Sequence, residues 1–315
     1  MHALLIVNPH ATSTTPLRRD VIVSALASEF DLEVVETRYR GHAVALAAGA
    51  VKQRRDLVIT LGGDGTVHET VNGLVRGPDG RRAPAAADEL PALAPIPGGN
   101  ANVFTRALGL AADPIDATGQ ILAAISGRRA RWIGLGLAGD RYFTCSAGLG
   151  IDAEVVRAIE GLRGSGRPVS DPLYLWTAIR QYYAATDRRH PALTLECDGH
   201  PPVGHIFLGV VSNTAPWTYL GRRPVNPSPL ASFDTGLDVF ALRRMRTIST
   251  LNVVRQMLAG GNRHPNGRHV LSLHDVPGLT LRSDRPIAWQ VDGEYMGERE
   301  DVSFRSVPRA LRVMT

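Results

Sequence analysis

The run Gly62-Gly63-Asp64-Gly65-Thr66 carries the clearest chemistry in the chain. It follows a short apolar stretch, LVITL at 57–61, and Val67, Val71 and Leu74 then recur at helical spacing. Glycines let the backbone approach a phosphate with no Cβ in the way, and they allow positive φ. A helix amino terminus offers that phosphate unpaired N–H groups and partial positive charge. Asp64 would repel phosphates unless a cation lay between them, and Mg²⁺ is commonly shared by carboxylates and substrate phosphates. The set points to ATP with Mg²⁺, with Asp64 as a metal ligand. The competing reading is a tight turn in which glycine serves geometry alone. A strand before the loop and a helix after it favour phosphate binding.

Pro97-Gly98-Gly99-Asn100-Ala101-Asn102 repeats the setting: a strand ends, two glycines turn the chain, and polar Asn residues open a helix. Asn100 and Asn102 suit either N-caps or ligand contacts. Asp292-Gly293-Glu294 follows IAWQV and, on spacing alone, reads as a plain Asp-Gly hairpin. Asp234-Thr235-Gly236-Leu237-Asp238 reads as a hairpin with solvated carboxylates.

The elements that must position these residues alternate over the first part of the chain. ALLIV at 3–7 is a strand ending at Asn8-Pro9, and Thr15-Pro16 reads as N-cap and first helical residue of a helix to about Phe30. A strand over 32–36, a helix over 41–55, the strand at 57–61, a strand over 93–96 and a helix over 102–109 follow. Such alternation builds a parallel sheet with helices on both faces, and its ligands bind beyond the carboxyl ends of the strands. The loops 8–15, 62–66 and 97–100 lie at such ends. The segment 76–91, rich in Gly, Pro and Ala, reads as a surface loop.

After about residue 130 the texture changes to strand-like runs joined by tight turns at Gly139-Asp140 and Asp198-Gly199, with helices near 153–160, 171–187 and 247–259. The fold class is therefore α/β: a parallel-sheet domain over 1–130 and a mostly antiparallel β domain over 131–315. The strand-like C-terminus is expected to pack back on the first domain.

Composition sets the outer bounds. A formal net charge of +5 over 315 residues is a mild excess, with no nucleic-acid signature. Lys52 is the only lysine. Cys145 and Cys197 form no CxxC pair, so no zinc ribbon is expected, and both read as buried thiols in a reducing cytoplasm. The amino terminus does not read as a signal peptide, and no run approaches the ~18 apolar residues of a membrane-spanning helix. Any membrane contact is expected to be peripheral, at the inner face. Gly134 to Gly139 matches G-x-G-x-x-G but runs into a turn and not a helix, which argues against a dinucleotide site. The ten histidines show no metal spacing. An aromatic stripe, Leu173 to Tyr183, reads as a core-packed helix face or as an interfacial element beside Arg188 and Arg189.

In order and spacing, LLIVNP, GGDGTVHETVNGL, PIPGGNANVFTRALGL, CSAGLGIDAEVV, ASFDTGLDVFAL and VDGEYMG resemble the diacylglycerol kinase catalytic family, which includes sphingosine kinases and bacterial lipid kinases. The resemblance spans essentially the whole chain. It implies an ATP-binding domain like that of NAD kinases and phosphofructokinases, a β-sandwich-like lipid domain, and transfer of phosphate from ATP to a lipid hydroxyl, with diacylglycerol as the first expectation. Nucleotide contacts carried over by the resemblance fall on Asn8, Pro9, Thr37, Gly62, Gly63, Asp64, Gly65, Thr66, Gly98, Gly99 and Asn100. Asn100 stands where relatives commonly have Thr, and NPHATST lacks a glycine common in relatives. The resemblance also implies Glu294 as proton acceptor, with Asp64 as its rival, and a structural Mg²⁺ at Asp234 and Asp238, although Thr235 replaces an Asp of the common segment. A homodimer is allowed for. The rival readings are a sphingoid-base kinase, an NAD kinase and a catalytically silent lipid-binding regulator. The PGGN and DGE segments speak against the NAD kinase.

Overall fold

Buried apolar strands separated by amphipathic helices give the first half of this chain its shape, and hairpin turns give the second half its own. The structure is a computed structural model and describes residues 1–76, 87–164 and 190–315. The aromatic stripe at 173–183, Arg188, Arg189 and most of the 76–91 segment lie outside the described residues.

In chain order the elements are β1 (His2–Val7), α1 (Pro16–Ala27), β2 (Asp31–Glu36), α2 (His42–Lys52), β3 (Leu57–Gly62), α3 (Asp64–Arg76), β4 (Ala92–Pro97), α4 (Val103–Ala107), α5 (Pro114–Ser126) and β5 (Ala130–Ala138). Then come β6 (Arg141–Phe143), β7 (Ser146–Gly150), α6 (Ile151–Gly164), β8 (Leu193–Glu196), β9 (Val203–Ile206), β10 (Leu208–Ser212), β11 (Thr218–Leu220) and β12 (Arg223–Val225). The chain finishes with β13 (Leu237–Leu242), α7 (Thr247–Leu258), β14 (Val270–Val276), β15 (Gly278–Val291) and β16 (Glu294–Met314). Two units result: Met1–Leu135 with Pro308–Thr315, and Gly136–Val307.

The first unit orders its strands β2-β1-β3-β4, all parallel, and Val313 of β16 pairs in parallel with Leu93 of β4. Apart from His2, every residue of β1, β3 and β4 is buried. That is the pattern of parallel strands covered on both faces. β2 is the edge and carries Asp31, Glu33 and Glu36, charges that suit an exposed edge strand. α1 opens as its sequence asks, with the Thr15 side chain accepting from the Arg18 N–H and Pro16 beginning the helix. α5 opens in the same way: Asp113 caps Ile115 and Asp116 ahead of Pro114. The sequence reading passed over α5, although the Asp-Pro signal was there.

The second unit orders its strands β14-β13-β10-β7-β15-β16, with every neighbouring pair antiparallel. β8 pairs with β15, and β9 with β8. Its core joins Leu237, Val239, Leu281, Trp289 and Val291 to Phe143 and Phe304, whose rings meet edge to face at 6.5 Å.

Candidate active site

β1 leads to β2 on one side of the sheet, while β3 and β4 lie on the other, so the strand order reverses between β1 and β3. Open parallel sheets bind ligands at such a switch point, beyond the carboxyl ends. The loops leaving β1, β3 and β4 meet there. Asn8 Nδ2 donates to Thr66 Oγ1 at 3.2 Å, and the Asn8 N–H donates to the Leu61 carbonyl at 2.9 Å. The Ser13 N–H donates to Gly98 O at 2.8 Å, the Gly98 N–H to Gly62 O at 2.7 Å, and Thr12 Oγ1 to Asn100 Oδ1 at 2.8 Å. Segments far apart in sequence thus form one hydrogen-bonded platform. Thr37 attaches at its edge, its N–H donating to Val7 O at 2.8 Å, while Pro9 is exposed on the first loop.

The glycines serve close approach, not left-handed φ: no glycine of the GGDGT or PGGN loops has positive φ. A Cβ on Gly99 would fall 2.8 Å from the Gly63 Cα, and one on Gly98 would fall 3.0 Å from the Gly62 N and Cα. A Cβ on Gly62 would meet Thr66 Oγ1 at 2.6 Å. The two glycine pairs therefore lie backbone against backbone, and only glycine fits. Helix geometry leaves the Gly65 amide, at the start of α3, without an intrahelical acceptor. Thr14 Oγ1, 3.0 Å from where a Gly98 Cβ would be, is buried without a hydrogen bond. Small backbone, first-turn amides and an unsatisfied hydroxyl make a cradle suited to an anionic group.

Asp64 has a task that the sequence did not show. Its carboxylate accepts the N–H groups of Val103 at 3.1 Å and Phe104 at 3.0 Å. Asp64 is therefore the cap of α4, across 39 residues of sequence. Neither Asn100 nor Asn102 caps that helix. Asn102, at φ 48° and ψ 47°, turns its side chain back to accept the Gly99 N–H and donate to Gly99 O. Glu69 caps α2 in the same long-range way, accepting from Gly41 at 2.7 Å and Ala43 at 3.2 Å.

In the second unit, Asp292 and Gly293 have φ of 47° and 78°, the signature of a two-residue hairpin turn joining β15 to β16. The Asp292 carboxylate accepts four hydrogen bonds: from the Thr144 N–H and Oγ1 at 2.7 and 2.9 Å, and from the Cys145 and Ser146 N–H groups at 2.8 and 3.0 Å. These bonds end β6 and begin β7, where the sequence suggested one continuous strand. They also fix the turn that presents the half-buried Glu294. Below the turn, Gln290 donates to Asp152 Oδ2 at 2.7 Å and accepts the Gly293 N–H at 2.9 Å. Asp152 is buried, and loss of solvation pushes its carboxyl up to about 6.

Asp234 is exposed, whereas Asp238 is fully buried on β13. The structure groups Asp238 with His264 and His274, and not with Asp234.

A parallel sheet whose switch-point loops fuse around paired glycines places a site for a phosphate-bearing ligand beyond its carboxyl ends. A family model described as the diacylglycerol kinase catalytic domain matches residues 2–130. A diacylglycerol kinase of Staphylococcus saprophyticus is 33% identical over 301 residues, covering 94% of this chain and 88% of that protein. One from Bacillus subtilis is 28% identical over 270 residues, covering 83% and 78%. The crystal structure of a diacylglycerol kinase from Bacillus anthracis strain Sterne shares the fold, with a TM-score of 0.69 over 99% of this chain and 96% of that one, at 20% identity. The chain belongs to the diacylglycerol kinase family. It is an ATP-dependent lipid kinase.

Proposed function

We propose that the acceptor is diacylglycerol and that the product is the corresponding phosphatidic acid. The observation that carries the reading is the fused platform of the 8–15, 62–66 and 97–102 loops at the strand-order reversal. The printed names of the relatives support the acceptor. In this reading the α3 amides and the loop glycines hold the phosphates of ATP, and Asn8, Pro9, Thr37, Thr66 and Asn100 line the nucleotide. Asp64 holds α4 in place and shares Mg²⁺, which would neutralise charge on the transferring group. Glu294 accepts the proton of the lipid hydroxyl as its oxygen bonds to the γ-phosphorus and the bond to ADP breaks.

The surface of α7 supports peripheral contact with a membrane at its cytoplasmic face. Ile248, Leu251 and Val254 are 86%, 62% and 41% exposed at helical spacing. Loss of solvation, and then the nearby charges of Arg244, Arg268, Arg246 and Arg243, lower the pKa of His269. Exposed apolar side chains on a helix with Arg246 at its start and Arg255 in its last turn suit an anionic bilayer surface. None of the described helices is long and apolar enough to cross a membrane.

The test is transfer of labelled γ-phosphate from ATP to a panel of lipid alcohols in mixed micelles. Label in phosphatidic acid, and far less in sphingoid-base phosphate, is expected. Preferred labelling of sphingoid bases would replace the acceptor, and no labelling of any lipid would remove the reading.

A further inference from the structure

Away from the nucleotide platform, the second unit holds a buried carboxylate that hydrogen bonding leaves half satisfied. Asp238 is 0% exposed. Its Oδ1 accepts the Asp275 N–H at 3.1 Å and lies 2.7 Å from His274 Nδ1. Its Oδ2 is buried and has no hydrogen bond. His264, in the segment between α7 and β14, brings two ring nitrogens that are also buried and unpartnered. One ligand atom from each of Asp238, His264 and His274 lies within 4.8 Å of the other two.

An ion pair explains only part of this. The His274 contact occupies Oδ1 and leaves Oδ2 and both His264 nitrogens with nothing to bond. Buried polar atoms are seldom left so, and Asp238 Oδ2 together with one nitrogen of His264 calls for a common partner. A divalent cation is such a partner, because it takes a lone pair from the carboxylate and from each imidazole at once. Two imidazole nitrogens beside one oxygen suit zinc, cobalt or nickel and not magnesium or calcium, which prefer all-oxygen shells. We propose that Asp238, through Oδ2, together with His264 and His274 binds one divalent transition-metal ion, zinc being the natural occupant. Three protein ligands leave a fourth position for water. The ion ties the segment between α7 and β14, where Gly260 and Gly261 have positive φ, to the antiparallel β13–β14 pair. The residues come from three places in the sequence with no motif spacing, so a linear reading could not find them.

The test uses the full-length protein without a histidine tag, stripped by chelator and titrated with Co²⁺. One equivalent should bind with the visible absorption of a low-symmetry nitrogen–oxygen site. Zn²⁺ should displace it, and a large excess of Mg²⁺ should not. H264Q and H274Q should each weaken binding by at least about tenfold while circular dichroism stays native. Both histidines are partly exposed, so these variants test the site even if D238N fails to fold. Failure to bind one equivalent, binding untouched by both histidine variants, or effective competition by Mg²⁺ would each overturn the site. None of these readouts depends on kinase activity.

Discussion

Asp152 shows how a single carboxylate can set the pH dependence of stability. In the unfolded chain it titrates near 3.8, and in the fold its pKa is raised to about 6. The folded protein therefore holds one proton more between those values, and stability falls as pH rises through that window. Above it the penalty is fully present, about 3 kcal/mol for a shift of this size. Asn at this position keeps an oxygen for Gln290 and carries no charge. D152N should therefore be more stable than the parent at pH 8 and nearly equal to it at pH 4, as measured by urea unfolding. An unchanged pH profile would mean that Asp152 is not the titrating group.

The DGE turn separates two roles within three residues. Asp292 accepts four hydrogen bonds, and Glu294 is presented on the turn that they fix. D292N should cost about 1–3 kcal/mol of stability and lower kcat. E294Q should leave stability near that of the parent, lower kcat by about 10²-fold or more, and spare KM for ATP. Loss of both parameters together in E294Q would argue against the base role. Glu294 could be picked out of the sequence only through the family resemblance, since on spacing alone its segment reads as a plain hairpin. The work of Asp292 and the capping by Asp64 could not, because each acts on amides far along the chain.

Among the elements, strand–helix alternation was legible wherever apolar runs met helix signals, from β1 through α4. What the sequence obscured was set by tertiary contacts. The run RYFTCSAG breaks into β6 and β7 because the Thr144, Cys145 and Ser146 amides turn to Asp292. The loop glycines were expected to serve phosphate approach and positive φ, yet their spacing reflects two backbones in contact. G99A follows from that packing. Its Cβ would strike the Gly63 Cα, so about 1–3 kcal/mol of stability and a raised KM for ATP are expected, by thermal melt and initial rates. On α7, the double variant I248E/L251E should lose binding to anionic vesicles in a sedimentation assay while activity on micellar substrate persists. Undiminished vesicle binding would place the membrane contact elsewhere.

For the molecule as a whole, a topological argument outweighs any single motif. Glycine-rich turns are common, but two of them joined to the 8–15 loop at the reversal of strand order in a parallel sheet form a built site. The α/β class could be read in advance because β1, β3 and β4 are apolar on both faces. The division of the chain falls within β5, after Leu135, a few residues beyond the change of texture near 130, because the strand runs on across it. The buried Asp238–His264–His274 cluster likewise exists only once the second unit has folded. The most direct measurement is amide hydrogen exchange with and without ATP and Mg²⁺. The account predicts slowed exchange together in peptides covering 8–15, 62–66 and 97–105, with little change over 237–276. Protection confined to other segments, with these three loops unaffected by nucleotide, would contradict it.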